Sequence, residues 1–247
     1  MNTTLPARPV TSVDITTRVE AIDWASASTH LDGYGWTMLK TLLTADECES
    51  IARFYEDDRR FRSRVVMASH GFGQGEYKYF AYPLPDIVTE LRMALYPRLA
   101  PIANRWNESM RVDVRFPGEL ADFIRRCHKA GQTRPTPLLL QYGAGDFNAL
   151  HQDVYGEHMF PLQTTILLSE PEKDFTGGEF VLTEQRPRMQ SRAEVVPLRR
   201  GDAVVFAVRD RPVQGTRGTY RVRMRHGVSR LRSGHRHTLG VIFHDAK

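Results

Sequence analysis

Cysteine is scarce: the 247 residues hold only Cys48 and Cys127, far apart, which excludes a disulfide framework and a thiolate metal cluster. No apolar run approaches the roughly 18 residues of a membrane span. The first twenty residues contain no apolar core of the kind that directs secretion. Internal repeats and low-complexity tracts are also missing. The expectation is a protein of the reducing cytoplasm with no membrane partner.

Hydrophobic residues make up 41% and charged residues 26%, the balance of a chain able to bury a core. The formal charge is +5, and it is uneven: from Arg186 to Arg236 fourteen arginines stand against Glu194, Asp202 and Asp210. Such a surface attracts polyanions, which makes nucleic acid a candidate partner through an Arg-rich face. A solvated charged face is the plainer alternative.

The pattern changes along the chain. Residues 1–15 read as a flexible arm. Residues 16–134 read as helical support, with a helix near Ile22–Leu31, a short strand at Gly35–Leu39 and a helix opened by Thr44 with Glu47 three residues on. A further helix is expected from Ile87 to Tyr96, stopped by Pro97 and resuming from Ile102 to Glu108. Between these, His70–Phe80 carries three glycines in five residues and then interleaved tyrosines. The stretch Tyr77–Tyr82 is either a mobile flap over a flat substrate or a strand packed on its own core.

After Pro137 seven short aliphatic or aromatic runs follow, separated by glycine turns: Leu138–Tyr142, Leu162–Leu168, Glu179–Leu182, Glu194–Leu198, Ala203–Val208, Tyr220–His226 and Thr238–Phe243. Seven strands in succession imply a sandwich or jelly roll, with an eighth strand near Trp36. The expected class is mainly β with helical support (α+β), one compact unit whose core is 135–247 and whose helices pack on one face.

His151-Gln152-Asp153 is the informative triplet. At a strand end residues i and i+2 point the same way, so an imidazole and a carboxylate stand side by side. A second histidine from a distant strand completes a facial triad of non-haem iron type, and His226, ending the run from Tyr220, is the natural choice. Gly227 beside it is expected to leave room near the metal. Arg236 and Thr238 again share a strand face. A buried arginine needs a carboxylate partner, and a dicarboxylate co-substrate would supply one, with the Thr238 hydroxyl as a second donor.

Taken in order, Tyr142-Gly143-x-Gly145, His151-x-Asp153, Gly177-Gly178-Glu179, Arg200-Gly201-Asp202, His226-Gly227-Val228 and Arg236-x-Thr238 resemble the iron(II)- and 2-oxoglutarate-dependent dioxygenase superfamily, with its prolyl-hydroxylase-like and AlkB-like members. The resemblance covers residues 135–247. It implies a double-stranded β-helix, Fe(II) held by His151, Asp153 and His226, and 2-oxoglutarate paired with Arg236 and Thr238. It also implies that Tyr142 bonds the co-substrate or lines its pocket, and that O2 is consumed as succinate and CO2 are released.

Three substrate readings follow. The favoured one is oxidative dealkylation of alkylated nucleic acid, a DNA-repair reaction. Its supports are the basic balance, Arg62-Ser63-Arg64, the tyrosines after Gly75 and the arginine-rich Gln185–Arg192 insertion. Arg236-x-Thr238 departs from the two-arginine pattern of AlkB-like enzymes. The second reading is hydroxylation of a protein side chain of prolyl type, or of a small molecule. The third is a non-catalytic nucleic-acid-binding module. A basic stripe from Arg217 to Arg232 on the pocket rim would favour the first, and one facing away the second.

Overall fold

The computed structural model describes residues 14–154, 156–216 and 218–247. Most of the expected arm, residues 1–13, lies outside them. Its last two positions already open a helix, because the Asp14 carboxylate accepts from the Thr17 N–H and caps α1.

Helices α1 (Ile15–Glu20) and α2 (Trp24–Tyr34) lead into strand β1 (Trp36–Leu39) and helix α3 (Ala45–Arg53). Strands β2 (Phe61–Val66), β3 (Gly73–Gln74) and β4 (Glu76–Phe80) precede helices α4 (Asp86–Ser109) and α5 (Leu120–Lys129). Strands then follow in succession: β5 (Leu138–Tyr142), β6 (Phe147–His151), β7 (Leu162–Leu167), β8 (Phe175–Gly177), β9 (Phe180–Gln185) and β10 (Arg192–Val196). The chain closes with β11 (Ala203–Ala207), β12 (Asp210–Gly215), β13 (Gly218–Val228), β14 (Leu231–Gly234) and β15 (Arg236–Val241).

The strands pair antiparallel in two main sheets. One runs β1-β11-β7-β15-β5-β4-β2. The other runs β10-β9-β13-β6-β3, with β12 beside β13; β8 and β14 form a small separate pair. Each of the seven runs expected after Pro137 overlaps a strand, β6, β8, β12 and β14 come in addition to them, and β1 joins the first sheet against β11.

The first sheet is buried on both faces, and alternation along its strands sorts the side chains. Leu139, Ile166, Val205 and Val241 join one apolar cluster with Leu91, Leu95 and Leu99 of α4. Tyr142, Leu167, Val204 and Phe206 turn the other way and pack with Phe180, Leu182 and Val228 of the second sheet. Helices therefore cover one side of the first sheet, and the second sheet faces its other side. No helix among the described residues is long and apolar enough to cross a membrane.

Two local readings resolve differently from each other. The Thr44 capping box forms as expected, with Glu47 reaching back to the Thr44 N–H. The helix break expected at Pro97 does not occur: α4 runs unbroken through Pro97 and Pro101. Each proline removes one backbone donor. The carbonyl freed by Pro97 belongs to Met93, whose side chain is 62% exposed, so water can satisfy it. The opposite face, including Leu91, Leu95, Leu99, Ile102 and Trp106, holds the helix to the core. The strand alternative is the one seen for the tyrosine segment, over Glu76–Phe80, paired with β2 on one side and β5 on the other.

Beyond β15, His244 is buried, and its Nδ1 accepts the Phe160 N–H at 3.3 Å. Burial, and then the Arg92 charge, push its imidazole down to about 4. The ring is neutral when folded, while the unfolded chain takes up a proton below about 6.5. Stability should therefore fall as the pH drops from 6.5 to 4, by on the order of 3 kcal/mol from this group. Urea midpoints at pH 7 and pH 4.5 check this. His244→Asn, which keeps an acceptor for Phe160, should flatten the dependence.

Candidate metal centre

β6 ends at His151, and Asp153 follows on the segment leaving it. β13 runs antiparallel to β6 and sets His226 directly opposite His151. The two imidazole centroids are 4.2 Å apart. Asp153 bridges them: one oxygen lies 3.5 Å from His151 Nε2 and the other 3.4 Å from His226 Nε2. The three groups offer ligand atoms all within 4.8 Å of one another. Packing fixes their orientation. The His226 ring lies 4.6 Å from that of Phe206 and stacks on Phe180. His151 Nδ1 sits 2.7 Å from the Ala149 carbonyl, which can only accept, so Nδ1 carries the hydrogen and Nε2 is left as the ligand atom.

The β6–β13 register shifts between His226 and Val228. Gly227 sits in that irregularity, and a Cβ there would lie 2.6 Å from the Asn148 carbonyl oxygen. The glycine thus permits close approach of the two strands, and it also lines the cavity beside the three ligands.

The electrostatics are those of a coupled group. Burial opposes ionisation of Asp153, but hydrogen bonds and charge from both imidazoles outweigh it and hold the carboxyl well below its usual range. Burial also works against protonation of His151, and Asp153 overcomes it, raising that imidazole. His226 is fully enclosed; burial, then the neighbouring His151, lower it.

β15 supplies the facing wall. Arg236 stands opposite Tyr142 of β5, and Thr238 lies between Leu140 and Leu167. Arg236 is 1% exposed, and no carboxylate among the described residues lies within ion-pair distance of it. Its Nη1 donates to Thr238 Oγ1, and its Nε has no partner. Burial lowers the guanidinium to about 10, against the Tyr142 and Glu179 interactions that raise it. Tyr142 is buried too; desolvation raises its phenol to about 12, and Asn148 Nδ2 donates to its oxygen at 3.4 Å.

All six residues singled out in the sequence, His151, Asp153, His226, Tyr142, Arg236 and Thr238, line one cavity of about 290 Å3. Its remaining wall is largely apolar, with Leu138, Leu140, Phe180 and Ile242. Strand alternation sends Tyr77 and Tyr79 of β4 into this cavity and Lys78 to the opposite face, where its Nζ bonds the Tyr55 carbonyl and Asp58. Gln163 and Thr165 of β7 also line it and were missed. Their signal was a polar triplet, Gln163-Thr164-Thr165, inside a strand buried along its whole length. Phe72, 47% exposed, stands at the mouth.

The arginines noted in the sequence do not gather there. Arg221, Arg223 and Arg225 are exposed on the face of β13 opposite Val222, Met224 and His226. Arg217 lies outside the described residues. Arg62 donates to the Pro135 carbonyl and lies 4.4 Å above the Tyr79 ring. Arg64 pairs with Glu76, Arg186 with Glu184, and Arg192 with Glu194.

The donor set suits a borderline divalent ion such as iron(II), two imidazoles and one carboxylate leaving open positions. Arg236, with no carboxylate partner among the described residues, and Thr238 beside it suit a carboxylate on the far side of the cavity. Comparisons with known proteins agree. The model of the Oxygenase-NA family, described as an oxygenase catalysing oxidative methylation of damaged DNA, matches residues 75–246. An uncharacterized protein of Mycobacterium tuberculosis (strain H37Rv) is 52% identical over 167 residues, 68% of this chain and 72% of its own. A prolyl 4-hydroxylase structure from Phytophthora capsici superposes with a TM-score of 0.54 at 16% identity, over 95% of this chain and 67% of that one. A 2OG-Fe(II) oxygenase family structure from Burkholderia pseudomallei gives 0.52 at 16% identity, over 92% and 93%. At these identities the two structures share the fold.

The convergence of three ligands predicts one tight divalent site per chain. Anaerobic titration with Fe(II) or Mn(II), followed by calorimetry, should show it. His226→Ala or Asp153→Ala should weaken binding by more than about 100-fold; unchanged affinity would place the ion elsewhere.

Proposed function

The chain belongs to the Oxygenase-NA family within the 2-oxoglutarate and iron(II) oxygenases, and on that premise we propose that it removes alkyl groups from damaged nucleic-acid bases by oxidising them. The observation that carries the oxygenase chemistry is a three-ligand centre facing a buried arginine with no carboxylate partner across one cavity. The family description supports the substrate class. So do the tyrosines and Phe72 that line the cavity, since aromatic rings are general stacking surfaces for bases. We assign the barrel core to a double-stranded β-helix, residues 135–247, with 16–134 supporting it.

In this reading His151 Nε2, His226 Nε2 and an Asp153 oxygen hold the iron. Bound Fe(II), with 2-oxoglutarate and O2, supplies the oxidising power: the co-substrate becomes succinate and CO2, and one oxygen atom goes to the substrate carbon. Arg236 pairs with the distal carboxylate and regains the charge balance that burial denies it. Because the Thr238 oxygen accepts from Arg236, its own hydroxyl hydrogen is free for the same carboxylate. Tyr142 stays protonated at neutral pH and its oxygen accepts from Asn148, so its hydroxyl hydrogen is also available to a ligand. The enclosed wall around Arg236 excludes water from that end of the cavity. On an N-methyl base, a hydroxylated methyl carbon is lost as formaldehyde as the C–N bond breaks; its hydroxyl proton goes to solvent where the methylated base is a cation and to the ring nitrogen where it is neutral, and the unmodified base is restored. The base must leave its stack to reach such a cavity, so single strands are the favoured form.

The outward row Arg221, Arg223 and Arg225 favours a second reading, a protein side chain or small molecule, because these charges do not border the cavity. One assay decides. Purified protein with Fe(II), O2 and 2-oxoglutarate is mixed with N-methylated single-stranded DNA or with proline-containing peptides. Succinate and formaldehyde rising together with the DNA are expected; stimulation by peptide alone would overturn the nucleic-acid reading. Arg236→Ala should raise the KM for 2-oxoglutarate by at least about tenfold, since a charge-assisted pair is lost. An unchanged KM would mean that the carboxylate binds elsewhere.

A further inference from the structure

Strand pairing lays out the cavity floor in rows. Arg236 faces Tyr142, Thr238 lies between Leu140 and Leu167, and Gly240 lies between Leu138 and Thr165. Continued by one residue, the same pairing sets Ile242 beside Gln163, and both line the cavity. Gln163 is therefore at the opposite end of the floor from Arg236. A co-substrate held between Arg236 and the three ligands takes the Arg236 end, which leaves the Gln163 end for the substrate.

Gln163 is 5% exposed, and its Oε1 is shielded from solvent with no hydrogen-bond donor among the described residues. A buried acceptor without a donor is unusual in a folded protein. Two other cavity-lining residues carry such orphaned atoms, Arg236 at Nε and His226 at Nδ1, and both belong to the sites already assigned. The Gln163 oxygen belongs to neither. Next to it the floor is apolar: the Leu138 side chain lies over Gly240, where a Cβ would meet Leu138 Cδ2 at 2.6 Å. Tyr79, paired with Leu138 on the neighbouring strand, borders the same row. An apolar floor flanked by an aromatic ring and one unmet acceptor suits a planar group that brings an N–H.

We infer that Gln163 is a specificity-determining residue whose Oε1 accepts a hydrogen bond from an N–H on the substrate ring, selecting bases that carry an amino group beside the alkylated nitrogen. This rests on the nucleic-acid reading above. The Thr165 hydroxyl, one row nearer Arg236, adds a second polar contact on the same strand face. A base with a carbonyl at that position would set two acceptors against each other unless the amide turned to present Nε2, an escape that Gln163→Glu removes.

The test compares single-stranded DNA containing 1-methyladenine with the same strand containing 1-methylhypoxanthine. The methylated position is the same, and the exocyclic group changes from a donor to an acceptor. The expected preference of the native enzyme in kcat/KM is at least about tenfold for 1-methyladenine. Gln163→Leu should bring the ratio close to one. Gln163→Glu, which keeps an acceptor, should retain it. A purely structural role would lower turnover on both strands together and leave the ratio unmoved. A ratio in Gln163→Leu equal to that of the native enzyme overturns the assignment of Gln163 alone. If the native enzyme oxidises neither strand while peptides stimulate it, the nucleic-acid reading falls and this inference falls with it.

Discussion

Two imidazoles 4.2 Å apart, with a buried carboxylate between them, form an arrangement that tolerates few charge states. Asp153 is held ionised by the pair, His151 is raised by Asp153, and His226 is lowered by its enclosure and by His151. Without metal the carboxylate is ionised, and of the two imidazoles His151 takes up an added proton more readily than His226. A divalent ion displaces that proton, which couples metal affinity to pH in the ordinary way. The β6–β13 register is what creates this balance, because it alone sets His226 opposite His151. Moving either strand by one residue would separate the imidazoles and leave Asp153 buried without them.

The facing sheet answers with a charge of the other kind. Arg236 is sealed between Tyr142 and Phe175, at 5.6 and 5.9 Å from their ring centroids. Isolation of that sort is costly for a charged group, and it makes sense only where a carboxylate visits. The cavity is polar at the three ligands, at the Arg236 end and at the Gln163 end, and apolar between them. Its small size and low-polarity walls strengthen every electrostatic contact made inside. The helical layer contributes nothing to the chemistry directly; by covering the outer face of the first sheet it lets β7, β11 and β15 be buried on both sides.

Much of this could be read in the sequence, for reasons that particular residues make plain. Aliphatic runs such as Leu138–Tyr142 and Ala203–Val208 carry their strand character locally, and His151-x-Asp153 presents its ligands through local geometry alone. Other features depend on distant partners. β6 has the unremarkable composition Phe-Asn-Ala-Leu-His, and it is a strand because β13 and β3 pair with it. β12 contains Pro212, a residue tolerated there because only β13 flanks that strand. The solvent-facing side of α4 that lets Pro97 pass, and the direction of the β13 arginines, are set by tertiary packing. Charge counting found the arginines and could not tell which way they point.

That direction gives the arginines a role needing no ligand. Along β13, Arg221, Arg223 and Arg225 alternate with Val222, Met224 and His226. A one-residue slip would drive three guanidinium groups into the space between the sheets, at an expense of several kcal/mol for each unpaired charge. The correct alignment is thus guarded by what the strand keeps outside as much as by what it buries. The row acts as a ratchet pawl, barring an out-of-step assembly in which the chain could close without ever forming a working centre.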